Sequence, residues 1–157
     1  MNERYLFRGK RKDNNAWVEG YHVCLNGNCH FIYTGYAETD CGYYYPNCHE
    51  VVPETVGQST GLKDKNGKLI FEGDIIRTQP FSDKPYSSKA KYKQHIGVVE
   101  YRISHFKNSI YEQDYKAVWR ADIKDYGKFI YSDWSDFFQC EVIGNIHDNP
   151  ELLEAKA

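Results

Sequence analysis

The chain has no apolar run approaching the ~20 residues that a membrane-crossing helix needs. It has one Met in 157 residues, and little Ala or Leu to set beside its Val and Ile. Its first eight residues, M-N-E-R-Y-L-F-R, contain no apolar stretch and no small-residue cleavage site, so no secretory signal is expected. A cytoplasmic protein is therefore predicted, with its five Cys as thiols, and the odd count agrees with that. The formal net charge of −2 gives no whole-molecule attraction for nucleic acid or for an acidic membrane. Catalytic signatures are missing too. There is no G-x-S-x-G, no H-E-x-x-H and no glycine-rich loop ending in Gly-Lys-Ser/Thr. Glu72 and Asp74 flank Gly73 as carboxylates at a tight corner, which suits turn hydrogen bonds better than acid–base work. His105 and the pair His147-Asp148 have no nucleophile near them in sequence. No enzymatic activity is expected.

Aromatic residues make up 16% of the chain, with 14 Tyr and 8 Phe, and this bias favours strands over helices. The densest turn chemistry lies in residues 53–77. Gly57, Gly61, Gly67 and Gly73 offer positions for positive φ. Asp64-Lys65-Asn66-Gly67 ends in Asn-Gly, the strongest short hairpin signal, between Leu62 and Leu69-Ile70-Phe71. Glu72-Gly73-Asp74 is a second corner that feeds the β-branched strand Ile75-Ile76-Arg77.

Residues 54–76, E-T-V-G-Q-S-T-G-L-K-D-K-N-G-K-L-I-F-E-G-D-I-I, resemble the hallmark segment of the YopX family. Two further blocks resemble it in the same order: residues 7–20, F-R-G-K-R-K-D-N-N-A-W-V-E-G, and residues 141–153, E-V-I-G-N-I-H-D-N-P-E-L-L. The resemblance implies a small protein encoded by a phage or prophage. It implies no activity, cofactor or catalytic residue. The Cys- and Tyr-rich region 24–48 matches no pattern of the family.

Taken in order, Tyr5 to Arg8 and Ala16 to Val23 read as a first hairpin around a polar turn. Cys29 to Thr34 reads as a third strand, and Tyr43-Tyr44-Tyr45 as a short one that Pro46 stops. A boundary is placed near 56–61, dividing a β-rich region 1–56 from a small domain 57–157. Residues 78–94 form a long excursion containing Pro80 and Pro85, and Ile96 to Ile103 returns as a strand. Residues 104–113 are ambiguous between loop and helical turn. Tyr115 to Arg120 and Lys128 to Tyr131 alternate as strands, and Trp134, Phe137 and Phe138 have helical spacing. Cys140 to Ile146 closes the domain, and Asn149-Pro150 starts a short helix with Asn as cap. A glycine-led strand, a long loop and a returning strand are similar to small SH3-like barrels, an analogy of fold alone. The predicted class is mainly β, or α+β: a hairpin-rich N-terminal part followed by an SH3-like barrel from about Gly61 to His147.

Three kinds of site are open. Cys24, Cys29, Cys41 and Cys48, with His30 and His49 adjacent to two of them, are candidate zinc ligands. Their Cys-x4-Cys and Cys-x6-Cys spacings fit loosely, and free Cys is commonly a small buried apolar group. No cofactor is otherwise expected. Lys84, Lys89, Lys91, Tyr92, Lys93 and Arg102 form a basic and aromatic segment of the kind that tracks phosphates and stacks on bases. The same residue types suit a solvated loop. The surplus tyrosines suit self-association or docking of a host or phage protein, since Tyr adds contact area at modest entropy cost. A non-enzymatic binding or regulatory module acting on a protein is the leading expectation.

Overall fold

A computed structural model describes residues 3–80, 82, 86–107, 113–123 and 139–154. The chain divides into two compact units, Met1–Gly61 and Leu62–Ala157. Both are built from antiparallel strands, and the protein is mainly β as its composition predicts. Among the described residues the only helical elements are single 3-10 turns at Glu3–Tyr5, Pro53–Thr55 and Pro150–Leu153.

The first unit holds β1 (Phe7–Lys10), β2 (Trp17–Leu25), β3 (Cys29–Glu38) and β4 (Tyr44–Glu50). It also holds the first five residues of β5 (Gly57–Lys63). These strands lie in the order β4-β3-β2-β1-β5. Asn26 and Gly27 both take positive φ, 51° and 75°, which lets β2 turn back tightly into β3. That turn sets the register Leu25↔Cys29, Cys24↔His30 and His22↔Ile32. Ile32 and Val51 are fully buried. Gly9 and Gly20 let the backbone come close to them, because a Cβ on Gly9 would lie 3.0 Å from Val51 Cβ and one on Gly20 would lie 2.9 Å from Ile32 Cγ2. Thr55 ties the 3-10 turn to β1: its hydroxyl accepts the Lys10 N–H at 2.8 Å and donates to the Val52 carbonyl at 2.7 Å.

Pro46 does not stop the fourth strand. β4 continues through it, with Tyr36 opposite Pro46 and Cys48 opposite Tyr33. Proline is tolerated because β4 is the edge of the sheet, where half of the backbone N–H groups have no neighbouring strand to serve.

The second unit contains the end of β5, then β6 (Leu69–Phe71), β7 (Asp74–Arg77), β8 (Ile96–Lys107), β9 (Gln113–Ile123) and β10 (Glu141–Asn145). β6 lies beside β5, whereas the others form a separate sheet in the order β10-β7-β8-β9. Gly67, at φ 81°, makes the Asn-Gly turn between β5 and β6, and its N–H donates to the Asp64 carbonyl at 2.9 Å. Gly73, at φ 79°, makes the corner between β6 and β7. Its N–H donates to Val99 O and its carbonyl accepts from Ile146 N. Leu62, Ile70, Ile76, Val99, Ala121 and Cys140 form the core, with Trp119 and Val142 packed against it.

The SH3-like barrel is not observed: the described strands form an open sheet with β10 and β9 at its edges. Closure requires the end strands to pair with each other at a consistent stagger. Here β6 and β7 part at Gly73 into different sheets, and β8 and β9 extend as a long ribbon. Of the ambiguous stretch 104–113, residues 104–107 end β8 and Gln113 begins β9, whereas residues 108–112 lie outside the described residues. Asn149 precedes the last 3-10 turn but makes no side-chain capping hydrogen bond. The expected strand at 128–131 and the helical turn carrying Trp134, Phe137 and Phe138 lie outside the described residues.

Candidate functional site

The four candidate zinc cysteines are exposed, which corrects the alternative that they are buried apolar groups. They are not brought together. Cys29 opens β3, and Cys41 lies three residues past its end at Glu38. At ~3.3 Å of rise per residue the strand alone separates the two by on the order of 30 Å. A tetrahedral zinc holds each sulfur at about 2.3 Å. Cys24 and Cys29 also alternate to opposite faces of the β2–β3 hairpin, since Cys24 stands opposite His30 and Cys29 opposite Leu25. Among the described residues no three His, Cys, Asp or Glu side chains are grouped to hold a metal ion.

What the hairpin does assemble is different. Cys24 Sγ lies 3.8 Å from His30 Nε2, and His30 Nδ1 lies 2.9 Å from His22 Nε2. The two imidazoles stack, with centroids 5.1 Å apart, and Phe7 packs on His22 at 5.3 Å. Burial, with the nearby His30 charge, holds His22 below the usual imidazole range. Period-2 alternation puts His22 and Cys24 on one face of β2, but only the register of the turn reveals that His30 joins them.

Of the basic and aromatic residues, Lys84 lies outside the described residues. Lys89, Lys91, Tyr92 and Lys93 sit exposed in the long loop between β7 and β8. Its two ends are tied by Thr78 N–H donating to His95 O at 2.8 Å and His95 N–H donating to Thr78 Oγ1 at 3.1 Å. Tyr86 is fully exposed at the far part of this loop. Arg102 is held by Glu100 at 2.8 Å, and Arg120 also approaches Glu100 at 3.8 Å, so the charge of Arg102 is answered on its own strand. Tyr101 leans on Trp119, with ring centroids 5.0 Å apart.

A third surface is aromatic. At the outer end of the first unit, Tyr36 is 70% exposed, Tyr43 75%, Tyr44 67% and Tyr45 51%. The register sets Tyr36 opposite Pro46 and Tyr44 opposite Glu38, so Tyr36 and Tyr44 share one face of the β3–β4 ladder. A β-bulge between Tyr33 and Gly35 turns this end of the ladder relative to the rest. Tyr36 packs edge-on against Tyr33 at 5.7 Å, and desolvation with a Tyr36 hydrogen bond pushes the Tyr33 hydroxyl above its usual range.

The sequence model of the family described as YopX protein matches residues 6–154, nearly the whole chain. The chain belongs to the YopX family. No curated protein matches it. The match spans both units, so the YopX region includes the β2–β3–β4 ladder. No helix among the described residues is long and apolar enough to cross a membrane.

Proposed function

We propose that this YopX-family chain is a non-enzymatic module that docks a protein of different sequence through the tyrosines of its β3–β4 ladder. It would act in the cytoplasm of a bacterial host. The observation that carries the reading is the exposure of Tyr36, Tyr43, Tyr44 and Tyr45 together at one end of one sheet. Monomeric surfaces rarely keep such aromatic area grouped without a use for it. Tyrosine is also among the residues in which interface energy concentrates. Pro46 favours a face-on partner over a second copy, because a proline inside the edge strand hinders edge-to-edge pairing of two sheets. Light scattering distinguishes the two outcomes: a monomer supports the heterologous partner, and a dimer abolished by Tyr36→Ser with Tyr44→Ser replaces it with self-association.

A second reading rests on the loop between β7 and β8, where Lys89, Lys91 and Lys93 surround the exposed Tyr92. Single-stranded nucleic acid would be held by lysines on phosphates and tyrosines on bases. An electrophoretic shift at low salt that is lost in the triple Lys→Glu variant supports it. Absence of any shift at low salt removes it.

A further inference from the structure

We infer that Cys24 is a thiol-modification site that forms mixed disulfides with small disulfides, with His30 as its base and His22 as the group that orients His30. The geometry has the three parts such a site needs. A nucleophile lies within reach of a base, and the base is fixed by a third group on its far side. Cys24 Sγ meets His30 Nε2 at 3.8 Å, and His30 Nδ1 meets His22 Nε2 at 2.9 Å. For His30 to take a proton at Nε2, its Nδ1–H must donate, which requires a neutral His22 with a lone pair on Nε2. The half-buried position of His22 against Phe7 keeps it neutral. The face carrying the trio is otherwise lined by Phe7, Ile32 and Val51, and the register adds one more titratable group, His49 opposite Ile32. Cys24 itself is exposed, so a disulfide can reach it.

The step balances without a further oxidant. The Cys24 thiol gives its proton to His30 Nε2, and the thiolate attacks one sulfur of a disulfide R–S–S–R. The Cys24–S bond to that sulfur forms as the original S–S bond breaks. The departing RS⁻ takes the proton back from His30 and leaves as RSH. Among the described residues the other exposed thiols have no histidine at hydrogen-bond distance: Cys41 meets the Thr39 hydroxyl at 3.8 Å, and Cys29 and Cys48 stand opposite Leu25 and Tyr33, with the Lys12 charge acting on Cys29 but taken up by its ion pair with Glu50.

The test uses the full chain and glutathione disulfide at pH 7, with site-resolved mass spectrometry over time. Cys24 is expected to form its mixed disulfide about tenfold faster than each of Cys29, Cys41 and Cys48, as site-selective thiolate chemistry gives. His30→Gln is expected to bring Cys24 down to the rate of the other three, and His22→Gln to lower it part of the way. Buried Cys140 reports whether a variant is folded, and the ranking in the wild-type protein decides the matter should a variant unfold. A Cys24 rate equal to that of the other exposed cysteines overturns the assignment, as does a fast Cys24 unchanged in folded His30→Gln.

Discussion

The carboxylate of Asp64 accepts the backbone N–H of Val142 at 3.0 Å, joining two positions 78 residues apart in the chain. Its other oxygen accepts the N–H groups of Asn66 at 2.8 Å and Lys68 at 2.9 Å, shaping the Asn-Gly turn between β5 and β6. One side chain therefore makes a local turn and anchors the start of β10. Asp64 is 5% exposed, and Lys65 N–H donating to Cys140 O at 3.0 Å reinforces the same junction.

Burial alone would raise the Asp64 carboxyl, but the N–H donors of Val142, Lys68 and Asn66, helped by the Lys68 charge, outweigh it and hold it below its usual value. A lowered folded-state value gives stabilisation that is present above the unfolded carboxyl pKa of about 3.9 and lost as pH falls through the folded value. Asp64→Asn is expected to cost about 1.5–3 kcal/mol near pH 7, the range for hydrogen bonds to a charged group. Urea unfolding at several pH values checks it: the gap to wild type should narrow below about pH 4. A gap independent of pH would mean that the charge of Asp64 does not matter to the fold.

Gly20 sits where β2 crosses close to β3. A Cβ there would run into the backbone carbonyl of Tyr33 and approach Ile32 Cγ2 to 2.9 Å. Backbone cannot swing aside as a flexible side chain can, so Gly20→Ala is expected to destabilise by about 2–3 kcal/mol, as overpacking does. Gly27→Ala is a useful contrast, having nothing within 4 Å but a φ of 75°. Its cost should be about 1–2 kcal/mol, from backbone conformation alone. Denaturant midpoints would rank the two, and equal costs would contradict the close approach at Gly20.

Cys140 is 2% exposed in the core of the second unit, and burial, with the Asp64 charge nearby, pushes its thiol up to about 11. At pH 8 iodoacetamide should therefore label Cys24, Cys29, Cys41 and Cys48 in the native protein and leave Cys140 unmodified. Unfolding in concentrated guanidinium should expose it to labelling. Native labelling of Cys140 at the rate of the others would contradict the packing of Leu62, Ile70, Val99 and Val142 around it.

Local chemistry made much of this fold legible. Asn66-Gly67 and Glu72-Gly73-Asp74 announce tight corners, and both glycines take the positive φ those corners require. The alternation around Ile96 and Tyr115 announces β8 and β9. Sheet membership was not legible, because turn residues say where the chain reverses and not which distant strand it meets. Hence β6 and β7, on either side of a corner, read as parts of one barrel although Gly73 sends them into different sheets. Pro46 read as a stop because its effect depends on whether the strand is an edge, a property of the whole sheet. The second oxygen of Asp64 is hidden for the same reason: its partner Val142 belongs to the last strand. At the cysteine cluster, composition pointed to four sulfurs, whereas register joins one of them to two histidines.

The most direct measurement of the proposed role is side-by-side affinity capture from a bacterial lysate with wild-type chain and with Tyr36→Ser combined with Tyr44→Ser. Binding of the recovered protein is then titrated against each. Exposed substitutions of this kind should leave stability within about 0.5 kcal/mol. The account predicts a protein held by the wild type and bound at least about tenfold more weakly by the equally stable double variant, as loss of interface tyrosines entails. A partner bound equally by both chains, or no partner with the wild type, would contradict it.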